Sequence, residues 1–172
     1  RQGRGPVEVT CRRWGEEASL PVGTRISGRL FPWLRRPLAA GALAQQIAVQ
    51  FPGRVRRLVL MATTPVMGAP GIGSAAMFDD DMQASGLKIQ TATPLGIAYQ
   101  TAAMAGWSSA AYLPGLKALP TLVLVGERDG VMPACYGQML ADLIDGALLE
   151  VVPGSHLFPF THAAAVAARI SA

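Results

Sequence analysis

The chain has 172 residues, of which 51% are hydrophobic and 15% charged, and its formal net charge is +4. This length and composition fit one globular domain with a hydrophobic core and exclude a disordered chain. No apolar run reaches the roughly 18 residues that a membrane span needs, and the two cysteines suggest neither a disulfide framework nor a metal site. The sequence shows no secretory leader, and two cysteines without a disulfide framework fit a reducing setting, so we expect a cytoplasmic protein.

The excess positive charge belongs to the first 36 residues. Residues 1–36 carry a net charge of +5, whereas residues 37–172 carry −1. The arginines of this first segment are scattered, without interleaved aromatic residues or a helical stripe, so we predict no nucleic-acid partner. The segment also lacks a period of 2 or 3.6. We leave it unassigned, either as an irregular leader or as the product of a shifted reading frame.

Ordered patterns begin near Gly41, and residues 37–172 are interpreted as one domain. Apolar residues four positions apart predict the buried face of a helix, with glutamines facing away from it: Leu43, Ile47 and Phe51 against Gln45, Gln46 and Gln50. Pro52-Gly53 ends this helix. The next run, Leu58–Met61, is short and continuously apolar, which is typical of a parallel strand covered on both faces.

The second half of the chain alternates strands with helices. A stretch rich in Gly, Met and Ala comes first, with a predicted helix near Leu95–Ala105. Strands are then predicted at Thr121–Val125 and Leu148–Val152. Helices are predicted over residues 134–144 and from a Thr161 cap to Ile170. This alternation predicts an α/β fold with three parallel strands and flanking helices.

Two polar residues follow consecutive predicted strands. Asp129 comes after the strand at Thr121–Val125, and His156 comes after the strand at Leu148–Val152. Active groups of parallel sheets gather at the carboxyl ends of the strands, so two adjacent loops are expected to bring these side chains together. A carboxylate that accepts the Nδ1 proton of a histidine lets the imidazole act as a general base and then as an acid. We predict that Asp129 and His156 form a catalytic pair.

Five short pieces of the sequence carry a family resemblance. They are Gly41-Ala-Leu-Ala-Gln-Gln46, Leu58-Val-Leu60, Ala105-Gly-Trp-Ser-Ser109, Pro120-Thr-Leu-Val-Leu124 and His156-Leu-Phe158. On these pieces, residues 41–172 resemble the carboxyl-terminal half of an α/β-hydrolase, and more narrowly the intracellular poly(3-hydroxyalkanoate) depolymerases. The fold that the resemblance implies is a partial α/β-hydrolase fold with a lid insertion.

The resemblance implies serine-esterase chemistry on a storage polyester of 3-hydroxy fatty acids, without a metal or an organic cofactor. Asp129 falls on the acid of the family and His156 on its base. Residues from about 66 to 113 fall on the lid, where Trp107 would line an acyl channel or belong to the lid core. A protein of this kind would act in the cytoplasm on polyester storage granules.

The nucleophile of the family is the member that this sequence lacks. In α/β-hydrolases a serine occupies a strained turn flanked by small residues, because the turn forces close backbone contact. Alignment on Gly41 places Arg36, Pro37, Leu38, Ala39 and Ala40 on this turn, and a leucine cannot attack a carbonyl carbon. The other nucleophilic side chains fit the motif poorly: Ser27, Ser74 and Cys135. The missing serine argues against turnover by the chain as it stands.

Three functions therefore stay open. The first is a depolymerase whose nucleophile turn is damaged in this sequence. The second is a general carboxylester or lactone hydrolase of the same superfamily, and the third is a degenerate, non-catalytic module that binds polyester or acyl ligands. The first strands of the family sheet are not recognisable here, so the strand at Leu58–Met61 is expected to expose an apolar edge that promotes self-association.

Overall fold

In a computed structural model, the structure describes residues 40–67 and 105–172, together with residues 83, 84, 86, 93, 95, 98 and 102. The elements within this part are α1 (Ala40–Gln50), β1 (Leu58–Met61), β2 (Thr121–Gly126), α2 (Ala134–Leu143), β3 (Leu148–Val152), α3 (Phe158–Thr161) and α4 (Ala163–Ser171). Short 3-10 turns lie at Pro52–Arg54 and Leu113–Leu116. None of the helices in these ranges is long and apolar enough to cross a membrane.

Several predictions from the sequence fall outside the described residues. The leader at 1–36 and the whole nucleophile turn except Ala40 lie there, as does Ser74. Most of the predicted helix near Leu95–Ala105 also lies there, although residues 95, 98 and 102 are helical.

The three strands form one parallel sheet in the order β1-β2-β3. In this register, Leu60 lies opposite Val123, and Val123 lies opposite Leu149. Helix α2 makes the crossover between β2 and β3, which a parallel connection requires. The prediction of a parallel α/β sheet with flanking helices is confirmed.

The sheet separates two hydrophobic clusters because alternate side chains of a strand point to opposite faces. One cluster contains residues of α1, α2, the Leu113–Leu116 turn and one sheet face: Ala48, Leu58, Leu60, Leu113, Leu116, Val123, Val125, Leu140 and Ile144. The other contains Leu124, Val152, Phe158 and Val166, with Val59 and Met61 partly buried beside them. The helices therefore cover both faces, which is why β1 and β2 are continuously apolar.

The buried face of α1 differs from the predicted one. Ile47 and Phe51 are 40% and 50% exposed, whereas Gln45 is fully buried between Ala42 and Ala48. The small alanines let α1 pack closely against β1 and the Leu113–Leu116 turn. The buried amide finds hydrogen-bond partners there, so the assignment of Gln45 to the outer face was wrong.

The carboxyl-terminal helix also begins differently from the prediction. Thr161 is the last residue of the short helix α3, and its hydroxyl lies 3.3 Å from the carbonyl oxygen of Leu157. His162 takes the N-cap position of α4, without a side-chain capping bond. The prediction missed α3 because its single turn, Phe158–Thr161, is too short to show a helical period.

The packing of α2 on the sheet yields a stability prediction at Gly137. Alanine would raise the helix propensity of this position by about 1 kcal/mol. A Cβ atom at Gly137 would nevertheless overlap Cγ1 of the buried, β-branched Val125 and would lie 3.3 Å from Cδ1 of Leu149. We expect the overlap to win, so that Gly137→Ala lowers the free energy of unfolding by about 1–3 kcal/mol in urea titrations.

The matched control is Gly53→Ala, because a Cβ atom there meets nothing within 4 Å. Its free energy of unfolding should stay within about 0.5 kcal/mol of the parent. Adding Val125→Ala to Gly137→Ala should remove most of the clash, although it introduces its own cavity. A more stable Gly137→Ala protein would show that α2 is not tightly packed against β2.

Candidate active site

The carboxylate of Asp129 is held by a turn that follows β2. The backbone N–H of Asp129 donates to the carbonyl oxygen of Gly126 at 3.2 Å. Its Oδ1 then accepts hydrogen bonds from the backbone N–H groups of Val131 at 2.9 Å and Met132 at 2.7 Å. Asp129 is only 6% exposed, and these two amides compensate for its burial. The turn therefore fixes both the position and the orientation of the carboxylate.

His156 approaches this carboxylate from the loop after β3. Its Nδ1 lies 3.0 Å from Oδ2 of Asp129 and 3.2 Å from Oδ1. Since a carboxylate can only accept, Nδ1 carries the proton in this hydrogen bond. The His156 side chain is 14% exposed. Its Nε2 is the ring nitrogen that remains for a reacting group.

Backbone contacts between the two loops bring the pair together. The N–H of Glu127 donates to the carbonyl oxygen of Val152 at 2.8 Å, and the N–H of Arg128 donates to that of Gly154 at 3.0 Å. A Cβ atom on Gly126 would lie 2.6 Å from the carbonyl oxygen of Ser155. Only glycine permits this approach of the two loops, and the sequence analysis did not single out Gly126.

The loop that carries His156 turns at Gly154 and ends at α3. Gly154 has a φ of 107°, a backbone conformation that favours glycine. The N–H of Phe158 donates to the carbonyl oxygen of Ser155 at 3.0 Å, and the Phe158 ring is fully buried. The hydroxyl of Ser155 is buried without a hydrogen-bond partner among the described residues. The Phe158 ring therefore anchors the end of the loop in the core.

The second histidine stands apart from this pair. The Nδ1 of His162 lies 2.9 Å from the hydroxyl of Thr161. A Cβ atom added to Gly154 would lie 2.6 Å from the same nitrogen. His162 is thus partly buried under the loop that carries His156.

One of the weaker nucleophile candidates lies in the described part. Cys135 is the second residue of α2, partly buried and free of any disulfide. Burial, and secondarily the neighbouring Cys135, raises the pKa of the Tyr136 phenol above its usual value of 10.0, so the phenol is neutral at pH 7. No group of three His, Cys, Asp or Glu side chains in the described ranges could hold a metal ion. The arrangement that the described residues form is the hydrogen-bonded pair of Asp129 and His156.

Sequence reasoning missed a set of buried polar side chains near α1. Gln45, Thr64 and Ser109 are each 3% exposed or less, and hydrogen bonds connect them. Ser109 ends the piece Ala105-Gly-Trp-Ser-Ser109, but its hydrogen-bond partner Gln45 lies 64 positions away in the sequence. No local pattern could have paired these residues.

Comparison with known proteins shows what the chain is similar to. The chain is 31% identical over 156 residues to a poly(3-hydroxyalkanoate) depolymerase from Ectopseudomonas oleovorans, an alignment that covers 74% of this chain and 55% of that protein. The chain therefore spans little more than half the length of this relative. No family model matches it.

Solved structures agree on the architecture. A hydrolase from Pseudomonas aeruginosa superposes with a TM-score of 0.53 at 28% identity, over 77% of this chain and 62% of that protein. A thermophilic esterase from Thermogutta terrifontis superposes with a TM-score of 0.62 at 24% identity, over 76% of this chain and 60% of the esterase. The second likeness shows the fold alone. The chain has an α/β-hydrolase fold and resembles poly(3-hydroxyalkanoate) depolymerase, as its sequence predicted.

Proposed function

We propose that this chain carries the acid–base pair of a carboxylester hydrolase that cleaves poly(3-hydroxyalkanoates). The observation that supports the chemistry is the hydrogen bond between Asp129 and His156 at the carboxyl ends of adjacent parallel strands. The substrate is suggested by the 31% identity to a poly(3-hydroxyalkanoate) depolymerase. The protein would then work on polyester storage granules in the cytoplasm.

In the proposed reaction, Nε2 of His156 takes the proton of a nucleophilic hydroxyl as the oxygen attacks the ester carbonyl. Asp129 accepts the Nδ1–H bond and stabilises the imidazolium that forms. The imidazolium then gives its proton to the departing 3-hydroxy oxygen, and the acyl group stays on the nucleophile. In the second half of the cycle His156 activates water, which releases the acid and restores the hydroxyl.

The nucleophile in this scheme is a serine at the position that Leu38 now occupies. The proposal therefore includes damage to the nucleophile turn in this sequence, by a shifted reading frame or by substitution. It also takes residues from about 66 to 113 as a lid over the acyl chain, with Trp107 lining the channel. Reading the gene around codons 1–45 in all frames would reveal a Gly-x-Ser-x-Gly turn directly before Gly41 if a frame shift caused the damage.

The role of His156 is tested by ester turnover. The chain as given and the variant Arg36→Gly/Leu38→Ser are incubated with p-nitrophenyl octanoate and with native polyester granules. We expect turnover only with the restored serine, and we expect His156→Ala in that background to lower kcat/KM by about 10³-fold or more. His162→Ala is the matched control and should keep kcat/KM within about threefold of the parent.

The same assay separates the other two functions. Hydrolysis of the nitrophenyl ester without release of hydroxy acids from granules would favour a general carboxylester or lactone hydrolase. Granule binding without turnover in either background, unchanged by His156→Ala, would favour a binding module, which the leucine at position 38 supports.

The two oxygens of Asp129 allow its structural and chemical roles to be separated. Asp129→Asn keeps an acceptor for the N–H groups of Val131 and Met132, whereas Asp129→Ala leaves both unpaired. We expect Asp129→Ala to lower the free energy of unfolding by about 1–3 kcal/mol in urea titrations. Asp129→Asn should lose about 1 kcal/mol or less. In the Arg36→Gly/Leu38→Ser background it should lower kcat by about 10⁴-fold, because the amide favours the wrong histidine tautomer.

Asp142→Ala is the control for these two variants. Asp142 is exposed, and its Oδ1 accepts a hydrogen bond from the Gln138 side chain at 2.8 Å. Its removal should change the free energy of unfolding by no more than about 0.5 kcal/mol. If Asp129→Ala were as harmless as Asp142→Ala, the two backbone bonds to Oδ1 would not contribute to stability.

We also propose that the protein self-associates through β1. This strand pairs with β2 along one edge, and its other edge pairs with no strand among the described residues. An apolar edge of this kind can template pairing with another chain. Light scattering across a concentration series should show association, and Val59→Lys should reduce it because a charge on an edge strand opposes pairing. A monomeric sample that melts cooperatively at all concentrations would contradict this.

A further inference from the structure

The side-chain amide of Gln45 is buried and has a partner at each end. Its Nε2 donates to the carbonyl oxygen of Thr64 at 3.1 Å, and its Oε1 accepts from the hydroxyl of Ser109 at 2.6 Å. Gln45 is fully buried, and Thr64 and Ser109 are 1% and 3% exposed. A buried amide would be costly without such partners, so this geometry is strongly specified.

The two partners of Gln45 belong to segments that are distant in sequence and adjacent in space. Residues Thr64–Met67 follow β1, and residues Trp107–Ser109 precede the Leu113–Leu116 turn. Val66 and Ser108 form an antiparallel bridge. The N–H of Met67 donates to the carbonyl oxygen of Trp107 at 2.9 Å, and the N–H of Ser109 donates to that of Pro65 at 2.9 Å. We call these two paired segments the lid base.

The first segment of the lid base leaves the sheet through a sharp turn. Ala62 has a φ of 46°, which is unusual for a residue other than glycine, and its N–H donates to the carbonyl oxygen of Leu124 at 3.1 Å. Further on, the Thr64 hydroxyl donates to the carbonyl oxygen of Val66 at 2.9 Å. The course of the chain from β1 to the bridge is therefore set by local bonds and by the contact with Gln45.

Gln45 connects this lid base to α1, the helix that follows the predicted nucleophile turn. The start of α1 is also pressed against the chain that leaves β1, since a Cβ atom on Gly41 would overlap the side chain of Thr63. Within α1, Gln45 is the polar side chain that is buried, whereas Gln50 is exposed. Any movement of the lid base relative to α1 must break the two bonds of the Gln45 amide.

We infer that Gln45 is a positioning residue that holds the two segments of the lid base against α1. A lid over an ester site beyond these segments rests on the proposed function. The attachment of the lid base to α1 by Gln45 does not. The role differs from that of a general stabilising contact, because the two bonds of Gln45 go to the two segments of the lid base rather than to the sheet.

Hydrogen exchange of the full chain tests the attachment without any need for turnover. Gln45→Met keeps an unbranched side chain of similar length but removes the amide, and Gln50→Met makes the same change at an exposed site of α1. We expect Gln45→Met to speed exchange of the Met67 and Ser109 amides by about tenfold or more. Exchange of the Val123 and Val125 amides in β2 should stay within about twofold, and Gln50→Met should match the parent throughout.

Ser109→Ala provides a second variant in case Gln45→Met fails to fold. It removes the donor to the Gln45 Oε1 but leaves the backbone bond from Ser109 to Pro65, so the Met67 amide should again exchange faster while β2 does not. Unchanged exchange at both lid-base amides would overturn the inference. An equal loss of protection in β2 would also overturn it, because Gln45 would then be a general stabilising residue.

A kinetic measurement links the attachment to the proposed function. In the Arg36→Gly/Leu38→Ser background, Gln45→Met should raise KM for p-nitrophenyl octanoate by about tenfold, with kcat within about threefold. A fall in kcat as large as the rise in KM would argue against a role of Gln45 in placing the lid. Absence of turnover in that parent, together with no Gly-x-Ser-x-Gly turn in any frame of the gene before Gly41, would refute the proposed function. The hydrogen-exchange result would still decide the attachment of the lid base.

Discussion

The close approach of the loops after β2 and β3 is the constraint on which the rest of the site depends. Gly126 has no side chain, so the carbonyl oxygen of Ser155 can lie 2.6 Å from the position that a Cβ atom would occupy. This approach allows backbone hydrogen bonds from Glu127 and Arg128 to the end of β3 and the loop after it. Those bonds set the distance at which Asp129 meets His156. The parallel sheet places the ends of β2 and β3 side by side, and Gly126 lets their loops approach closely enough for Asp129 to bond His156.

A similar arrangement joins α1 to the two paired segments Thr64–Met67 and Trp107–Ser109. Small side chains on α1, Ala42 and Ala48, permit close packing, and Gly41 does the same against Thr63. The polar group that this packing buries, the amide of Gln45, is then satisfied by Thr64 and Ser109. At both places glycine or alanine permits a close approach of two segments, and specific hydrogen bonds then join those segments. Hydrophobic burial holds the sheet and helices together, whereas these bonds decide how the segments beyond the strands are placed.

The sequence predicted the elements whose signals are local. Leu58–Met61 and Leu148–Val152 were found to the residue, because a continuous apolar run between turn residues identifies a buried strand. The proximity of Asp129 and His156 followed from their places after consecutive strands. The orientation of α1 was not predictable in this way. Periodicity ranks Gln45 as exposed, and only contacts 19 and 64 positions away make its burial favourable. The single turn of α3 was missed because four residues are too few to show a helical period.

The geometry of Asp129 explains how its hydrogen bond to His156 can be ordered in a chain with leucine at position 38. Oδ1 accepts from the N–H groups of Val131 and Met132, which ties the carboxylate to the folding of its own turn. Oδ2 faces His156, and that contact is the one that chemistry would use. Because the turn orders the carboxylate independently of any nucleophile, loss of a serine need not disturb the pair. An ordered Asp–His pair is therefore evidence about the loops after β2 and β3 alone. The presence of a serine in the nucleophile turn is a separate question.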